Sequence, residues 1–267
     1  MYATNFTYDG VTLASKGYIL CEFSSGDNTR PGSKISFQTV PVNKGQKVLM
    51  ADARYDECLT TTLHICKNMC NISNQENLKL TPAEVSDLSR WLNKKAFKPM
   101  IFDATGWSNI IFEASFNIST VEIGGEIYGL ELEMITNRPF AVKTERTVTL
   151  TFTAGAQTQT FEDTSDEIGY IYPNSLEVTC GASGNLNFNV GTEVRRTVVN
   201  NCTSGEKITF TYPTISSSDD EHTTLFDDFN YVFPRISNTA SERTIGVITS
   251  MACTMVIKYN PIIKVTL

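Results

Sequence analysis

The sequence predicts a mostly β protein, with one helix in its first half and a β-sandwich in its second half. Three observations support this prediction. Only 19% of the 267 residues are charged, and the polar character comes from Ser, Thr and Asn, which favour strands and turns. A single segment carries the start signals of a helix. After residue 140, short alternating runs follow one another at ~8–12-residue spacing without a helical pattern.

The predicted helix lies in the first half, at about residues 81–97. Thr81 is a good N-cap, Pro82 suits the first helical position, and Glu84 completes a capping box. Lysines follow near the C-terminal end, where positive charge suits the helix dipole, and Pro99 stops the helix. One face is apolar at helical spacing and consists of Val85, Leu88, Trp91 and Leu92.

Predicted strands make up the rest of this half. Apolar residues alternate from Ile110 to Ile118 and from Tyr128 to Met134, around a turn at Gly124-Gly125. This pattern is typical of a hairpin with one buried face. Earlier strand candidates are Lys34–Val42 and Lys47–Ala53, which flank a turn at Asn43-Lys44-Gly45, and Cys58–Cys66.

A domain boundary is predicted near Arg138-Pro139-Phe140, which divides the chain into domains of residues 1–137 and 138–267. Both lengths are ordinary for one domain. In the second domain we predict ten short strands and no helix. The ten candidates are Thr147–Thr153, Thr158–Glu162, Ile168–Tyr172, Ser175–Cys180, Leu186–Val190, Glu193–Asn200, Lys207–Tyr212, Tyr231–Pro234, Glu242–Ile248 and Thr254–Tyr259.

Composition excludes several classes of function. A net charge of −7 without a basic block argues against recognition of nucleic acid or of an anionic membrane surface. Apolar stretches are only a few residues long, so no membrane insertion is predicted. The N-terminus lacks a positive region followed by an apolar run, so no signal peptide is predicted. The seven cysteines show no framework spacing, which favours free thiols in a reducing compartment.

Two clusters have the composition of a metal site, but neither has the spacing of one, and no metal is predicted. The first lacks the close pairs of a zinc site, so buried free cysteines and one polar histidine are the preferred interpretation. The second lacks the EF-hand spacing and its glycine, and we interpret it as a solvated acidic loop. The first cluster is Cys58, His64, Cys66 and Cys70, and the second is Asp219, Asp220, Glu221, His222, Asp227 and Asp228.

No catalytic residue and no cofactor are predicted either. With only two histidines, general bases are scarce, and neither a GxSxG motif nor a P-loop is present. Nothing selects a carboxylate pair for glycoside cleavage. Trp91 lies on the apolar helix face and is predicted to be in the core, whereas Trp107 is a candidate for exposure at a strand entrance. No tryptophan follows it, which weakens a sugar-binding interpretation of the second domain, although tyrosines can substitute.

Several short motifs occur together along the chain. The most specific is Leu88-Ser89-Arg90-Trp91-Leu92, followed by Lys98–Asp103, the Phe112–Phe116 strand and the Gly124–Leu132 hairpin. Further motifs are Asn5–Val11, Phe37–Ala53 with Tyr55 and Leu59–Cys66, Arg138-Pro139-Phe140, Tyr170–Ser175 and Ser183–Leu186. In these motifs the chain resembles the distal tail protein (Dit) family of long-tailed, non-contractile bacteriophages and their prophage remnants.

The resemblance implies a fold and a role. It implies an N-terminal β-sandwich-like domain with one helix, which assembles into a hexameric ring, and a C-terminal galectin-like β-sandwich. It also implies a non-enzymatic hub of the baseplate or tail tip in the virion, made and assembled in the host cytoplasm. The implied partners are other copies of the chain, the major tail tube protein, the tape-measure protein, and the tail-tip or receptor-binding proteins.

A ring subunit needs edges that pair with its neighbours. The Lys34–Ala53 region, with few large apolar residues, is the candidate ring-interface arm, and an ordinary peripheral hairpin is the alternative. Negative net charge also suits a channel through which DNA slides, because phosphates are repelled. The candidate arm residues are Lys34, Ser36, Gln38, Asn43, Gly45 and Lys47.

Two other functions remain as alternatives to the ring hub. The first is a carbohydrate-binding module that recognises host cell-wall saccharide, which predicts exposed aromatic side chains. The second is a glycoside or cell-wall hydrolase, which predicts turnover that depends on one carboxylate pair.

Overall fold

The computed structural model describes residues 3–23, 32–42, 45, 47–71, 75–153, 157–167, 169–238 and 243–265. The protein is mostly β, as predicted, and divides into two compact units, Met1–Val142 with Ile263–Leu267, and Lys143–Ile262. The chain passes into the second unit a few residues beyond the predicted boundary and passes back at Ile262–Ile263. Among the described helices, none has the length and apolar character needed to cross a membrane.

The first unit is built on one large antiparallel sheet whose main path has the order β2-β1-β7-β8-β9-β6-β3, and β4 and β5 form a separate two-stranded sheet. Short 3₁₀ turns occupy Ala14–Lys16, Met69–Asn71 and Gln75–Leu78. The elements are β1 (Phe6–Tyr8), β2 (Val11–Thr12), β3 (Tyr18–Cys21), β4 (Ile35–Val42), β5 (Lys47–Tyr55), β6 (Thr60–Lys67), α1 (Pro82–Leu92), β7 (Lys98–Phe102), β8 (Ile110–Ile123), β9 (Glu126–Thr136) and β10 (Ala141–Lys143).

Helix α1 begins where the sequence predicts. The Thr81 backbone N–H donates to the Glu84 carboxylate at 2.8 Å, and the Glu84 N–H donates to the Thr81 hydroxyl at 3.3 Å, which forms the capping box. The helix ends at Leu92, so its predicted extension to about residue 97 is wrong. The apolar periodicity stops at Leu92, Asn93 is extended, and Lys98 already begins β7.

The apolar face of α1 packs against the sheet of its own unit. Leu88 and Leu92 are buried, and the half-buried Val85 packs against the same core. The Trp91 ring lies 6.1 Å from that of Phe6 and 6.2 Å from that of Tyr8. Its indole N–H donates to the Tyr8 carbonyl at 3.3 Å. Trp91 therefore ties the helix to β1, and its position in the core is as predicted.

The predicted hairpin of β8 and β9 is confirmed. Gly124 and Gly125 form its turn with φ of 64° and 84°, values that favour glycine. Apolar side chains of β8 alternate towards the core up to Phe116, and the tip of the hairpin is largely exposed. The hairpin supplies the central strands of the sheet.

The second unit is a β-sandwich of a five-stranded sheet, β11-β21-β14-β17-β18, and a four-stranded sheet, β12-β20-β15-β16. Buried side chains of both sheets form one core. The elements are β11 (Arg146–Phe152), β12 (Gln157–Glu162), β13 (Tyr170–Ile171), β14 (Ser175–Cys180), β15 (Gly184–Val190), β16 (Thr197–Cys202), β17 (Lys207–Thr211), β18 (Thr214–Ser217), α2 (Leu225–Asp228), β19 (Ile236–Ser237), β20 (Thr244–Thr249) and β21 (Cys253–Tyr259). The last strand, β22 (Ile262–Ile263), pairs with β10 and belongs to the large sheet.

The second unit differs from its prediction in several places. The one-turn helix α2 occurs where no helix was predicted, and β18 and β19 occur where no strand was predicted. The predicted strand Tyr231–Pro234 is absent, because Tyr231 has a φ of 57°, which is incompatible with an extended strand. The first residues of two predicted strands, Ile168 and Glu242, lie outside the described residues.

Replacing Thr81 by Ala removes the hydroxyl that caps the Glu84 N–H. We expect it to lower the free energy of unfolding of the first unit by about 1 kcal/mol. Both tryptophans lie in this unit, so tryptophan fluorescence during urea unfolding reports on it. Ser86→Ala, exposed within α1, is the matched control and should cause no loss, because Ala is the better helix former. An equal loss in both variants would contradict the capping explanation.

Candidate functional site

The hairpin of β4 and β5, which we call the arm, forms a two-stranded sheet of its own. Ile35 pairs with Tyr55 at its base, and Val42 pairs with Lys47 at the other end. Apart from Ser36, Val42 and Tyr55, every residue of both strands is exposed. The region predicted to form a ring interface is therefore a solvent-exposed hairpin.

The two faces of the arm differ in character. Side chains alternate between the faces of a strand, and directly paired residues share a face. The register, with its bulge between Gln38 and Thr39, thus defines an apolar arm face and an opposite face that is polar near the base. The apolar arm face consists of Ile35, Phe37, Thr39, Pro41, Val48, Met50, Ala53 and Tyr55. The polar base of the opposite face consists of Ser36, Gln38, Asp52 and Arg54.

The predicted arm residues do not lie on the apolar face. Ser36, Gln38 and Lys47 belong to the opposite face, and the exposed Lys34 precedes β4. Gly45 has a φ of 85°, the left-handed conformation that favours glycine in a turn. Asn43 lies outside the described residues.

The expectation that this region has few large apolar residues is wrong. The side chains of Phe37, Val48 and Met50 are 60%, 56% and 64% exposed. The bulge and Pro41 interrupt the simple alternation, so the apolar face is not evident from the sequence pattern. The large apolar residues exposed on the arm are Ile35, Phe37, Val40, Val48, Leu49 and Met50.

The base of the arm is fixed to the first unit. The ring of Tyr55 contacts that of Phe140 edge-on at 6.0 Å. The Ser33 hydroxyl donates to the Pro139 carbonyl. The segment that the sequence marks as a domain boundary therefore also holds the arm in place.

The first metal-like cluster is not assembled. In the described part of the chain, no group of three or more His, Cys, Asp or Glu side chains could hold a metal ion. Cys58 is exposed ahead of β6 and Cys70 is exposed in a 3₁₀ turn. His64 instead lies with its Nε2 3.4 Å from the Glu131 Oε2. None of the seven cysteines, all of which lie in the described residues, is paired in a disulfide.

The acidic run of the second unit is organised around a buried histidine. The Nδ1 of His222 lies 2.6 Å from the Oε1 of Glu206, and its Nε2 lies 3.2 Å from the Oδ2 of Asp228. Only 3% of the His222 side chain and none of the Glu206 side chain are exposed. The interpretation of this run as a solvated loop is therefore wrong for His222. Glu206 is distant in sequence, and no motif pointed to it.

The carboxylates of Glu206 and Asp228 flank the buried His222 ring, and opposite charge accounts for their position; we call these three residues the His222 clamp. Burial lowers the pKa of His222, but hydrogen bonds to Glu206 and Asp228 outweigh it, so its pKa is raised. The Thr224 hydroxyl donates to Asp228 at 2.6 Å and lowers the pKa of that carboxyl. The His222 ring between two carboxylates thus holds the chain between β18 and α2 against the start of β17.

Aromatic rings form a second exposed surface, on the second unit. Tyr172 and Tyr212 stack at 4.4 Å, Tyr212 contacts Phe233 at 5.4 Å, and Phe233 contacts Phe229 at 5.0 Å. Phe229 in turn contacts Tyr231 at 5.4 Å. We call these five residues the tyrosine patch. Tyr212 and Tyr231 are 56% and 65% exposed, whereas Phe229 is buried, so the exposed rings rest on the core.

Backbone and charge support the same surface. Tyr231 keeps a positive φ, which is unusual for a bulky residue and directs its ring into solvent. The Arg235 guanidinium lies 3.6 Å from the ring centroid of Tyr170, and its Nε donates to Glu193. Tyr170 is itself half exposed.

Neither tryptophan offers an open platform. Trp107, the candidate for exposure, is half-buried and stacks on Phe112 with ring centroids 6.0 Å apart. It also contacts Phe102 edge-on at 6.3 Å. The exposed aromatic side chains of the second unit are tyrosines and phenylalanines, since it contains no tryptophan.

Comparisons with known proteins cover both units. A family model described as the phage tail protein N-terminal domain matches residues 1–138, and one described as the phage tail C-terminal domain matches residues 140–259. The crystal structure of SPP1 Dit (gp 19.1), described as a paradigm of the hub adsorption apparatus in phages that infect Gram-positive hosts, shares the fold. Its TM-score is 0.64 at 10% identity, over 97% of this chain and 99% of that chain. No curated protein matches.

Replacing His222 by Gln leaves two carboxylates without their cation. We expect the segment 203–230 to lose about 2 kcal/mol of protection at about pH 6, measured by hydrogen–deuterium exchange corrected for intrinsic rates. Because the folded pKa of His222 is raised, its contribution is complete below the unfolded pKa of about 6.5 and disappears as pH rises through the folded pKa.

The difference between wild type and His222→Gln should therefore shrink by about pH 9. His64→Gln, in the first unit, is the control and should leave the protection of this segment unchanged. A loss of equal size at both pH values would show that the imidazolium charge does not hold the segment.

Proposed function

The chain belongs to the phage tail protein family. We propose that six copies of it form a ring at the distal end of the tail tube. It is a protein of the virion tail, and its fold is that of a Dit protein, as its sequence motifs predict. In the proposed ring, the chain acts as the hub of the baseplate or tail tip and connects the tube to host-recognition proteins.

The apolar arm face is the observation that carries this proposal. A two-stranded hairpin is only marginally stable in water by itself, and the arm pairs with no third strand among the described residues. Each large side chain on it, such as Phe37 or Met50, gains about 1.5–3 kcal/mol when it is buried. A neighbouring subunit that covers this face supplies the layer that the hairpin lacks.

Ring closure follows from the kind of contact. When the arm of one subunit lies on a different surface of the next, the contact is head-to-tail and repeats by rotation until the ring closes. Strand edges of the arm add backbone hydrogen bonds to such a contact. The predicted arm residues Ser36, Gln38 and Lys47 lie on the opposite face and therefore outside this apolar contact.

Partners along the tail axis extend the proposal. The ring contacts the major tail tube protein and the tape-measure protein, and it carries the tail-tip or receptor-binding proteins. The hub role described for SPP1 Dit supports this arrangement. A net charge of −7 suits a channel that DNA crosses without binding. Assembly takes place in the host cytoplasm, in agreement with seven free thiols, and the chain catalyses no reaction.

Phe37→Asp places a carboxylate in the centre of the apolar arm face. We expect it to convert hexamers to monomers in native mass spectrometry, because burying an unpaired charge at each interface costs several kcal/mol. Gln38→Asp is the matched control. It introduces the same charge at the next exposed position of β4, on the opposite face, and should leave the hexamers intact.

If the isolated wild-type chain is monomeric, the same variants are compared in assembled tails by cryo-electron microscopy. Wild-type and Gln38→Asp tails should then show six-fold density at the distal end, and Phe37→Asp tails should lack it. Undiminished rings of Phe37→Asp would exclude the apolar arm face as the interface, and a different symmetry would exclude the hexamer.

The tyrosine patch favours a second candidate function, recognition of host cell-wall saccharide by the second unit. Sugars stack their C–H faces on aromatic rings, and the patch presents such rings on a rigid base. The half-exposed Tyr170, with Arg235 and Glu193 beside it, adds a charged pair suited to hydrogen bonding with hydroxyl groups.

Co-sedimentation with purified host cell walls tests this second function. We expect the wild-type chain to bind, and Tyr212→Ala combined with Tyr231→Ala to bind at least ten-fold more weakly. Val194→Ala, which alters the most exposed apolar side chain of the same unit, is the control and should bind as wild type does. Equal binding of all three proteins would remove the tyrosine patch from the candidates.

A further inference from the structure

Two half-buried cysteines of the first unit lie on neighbouring strands. Cys21 ends the edge strand β3, and Cys66 lies in β6, with which β3 pairs. In their register, Ile19 is opposite Cys66 and Cys21 is opposite His64. Cys21 and Cys66 are therefore diagonal neighbours with side chains on the same face of the sheet.

The chain that follows Cys21 is held down beside Cys66. Gly129 of β9 pairs with Cys66, and the ring of Phe23 covers Gly129 so closely that an added Cβ would lie 2.3 Å from its Cζ. The same ring contacts His64 edge-on at 5.6 Å. Diagonal Cα atoms lie ~7–8 Å apart in a regular sheet, and a disulfide spans up to ~7 Å. A disulfide therefore requires only a small movement of Cys21 towards Cys66. Cys21 is the last residue of an edge strand, where the backbone can move most easily.

The two thiols differ in acidity in a way that suits exchange chemistry. A hydrogen bond from the Cys21 thiol lowers the pKa of Cys66 to about 7, and the same bond raises the pKa of Cys21. The lowered pKa favours the thiolate form of Cys66, and the thiolate is the nucleophile in disulfide exchange. By contrast, Cys180, Cys202 and Cys253 are buried in the core of the second unit.

We propose that Cys21 and Cys66 are a redox pair that closes to a disulfide when the protein meets a small-molecule disulfide such as oxidised glutathione. The Cys66 thiolate attacks one sulfur of the oxidant, whose S–S bond breaks and releases one thiolate. The Cys21 thiol then loses its proton and attacks the Cys66 sulfur, which releases the second thiolate. Two protein thiols are oxidised by two electrons, and one external disulfide is reduced to two thiols.

The bond closes a loop that contains the whole arm. The arm lies between Cys21 and Cys66 in the sequence, so the disulfide ties together the two strands from which it emerges. Closing a loop on the order of 45 residues restricts the unfolded chain and raises the thermal midpoint of the first unit by about 5–10 °C. This inference is independent of the proposed ring, because it concerns one chain alone.

The test oxidises the reduced full-length chain with oxidised glutathione between about pH 6 and pH 8, alkylates it, and maps the peptides without reduction. We expect a Cys21–Cys66 linked peptide in most molecules. Its rate of formation should rise about ten-fold across this range as Cys66 ionises. The thermal midpoint, followed by tryptophan fluorescence, should rise by about 5–10 °C.

Matched variants separate this pair from other thiols. Cys66→Ser should abolish both the linked peptide and the gain in thermal midpoint, whereas Cys58→Ser, which removes an exposed thiol, should retain both. Reduced Cys66→Ser should unfold at the wild-type temperature, which shows that it folds. A stable glutathione adduct on Cys66 without a link to Cys21 would overturn the proposal. So would a gain in thermal midpoint on oxidation that persists in Cys66→Ser.

Discussion

A two-stranded sheet such as the arm cannot bury its own side chains, because it has no second layer to pack against. This constraint decides which apolar side chains of the first unit are exposed. The large sheet covers one face with α1, where Trp91 binds β1 through both ring contacts and a hydrogen bond. Among the described residues, no element covers the arm in this way, yet the arm carries apolar side chains such as Phe37 and Met50. Exposed apolar area of this kind is favourable only when another surface buries it. The exposed apolar side chains of the arm are therefore the part of the first unit that the proposed ring contact would bury.

In the second unit, charged and aromatic side chains near the surface are held in place by contacts with buried residues. His222 is buried between two carboxylates, and the alternative of an uncompensated buried charge would be costly. The clamp orders the chain that leads to α2, and the next segment carries Tyr231 on the buried ring of Phe229. Rings supported in this way lose little freedom on binding a partner or a glycan. The two units thus offer two kinds of surface, one apolar and one aromatic.

Local signals in the sequence predicted local structure well. The capping box of Thr81 and Glu84 forms as expected, and the Gly124-Gly125 turn closes the β8–β9 hairpin. The short motifs along the chain, of which the segment around Trp91 is the most specific, pointed to the family that the family models confirm. The two errors had different causes. The helix stops at Leu92, where its apolar periodicity ends, well before Pro99. The acidic run folds around Glu206, which lies in another segment of the chain and which no local pattern indicates.

By itself, the sequence determined the β-rich fold, the helix start, the tail protein family and the absence of disulfide spacing, because each depends on residues that are neighbours in the chain. Only the tertiary structure decided which side chains are buried and which thiols meet. Phe37 is exposed because no element in the described part of the chain covers it, and the proximity of Cys21 and Cys66 depends on the pairing of β3 with β6. Burial and proximity are long-range properties. A period-two pattern reports which residues share a face, but not whether anything covers that face.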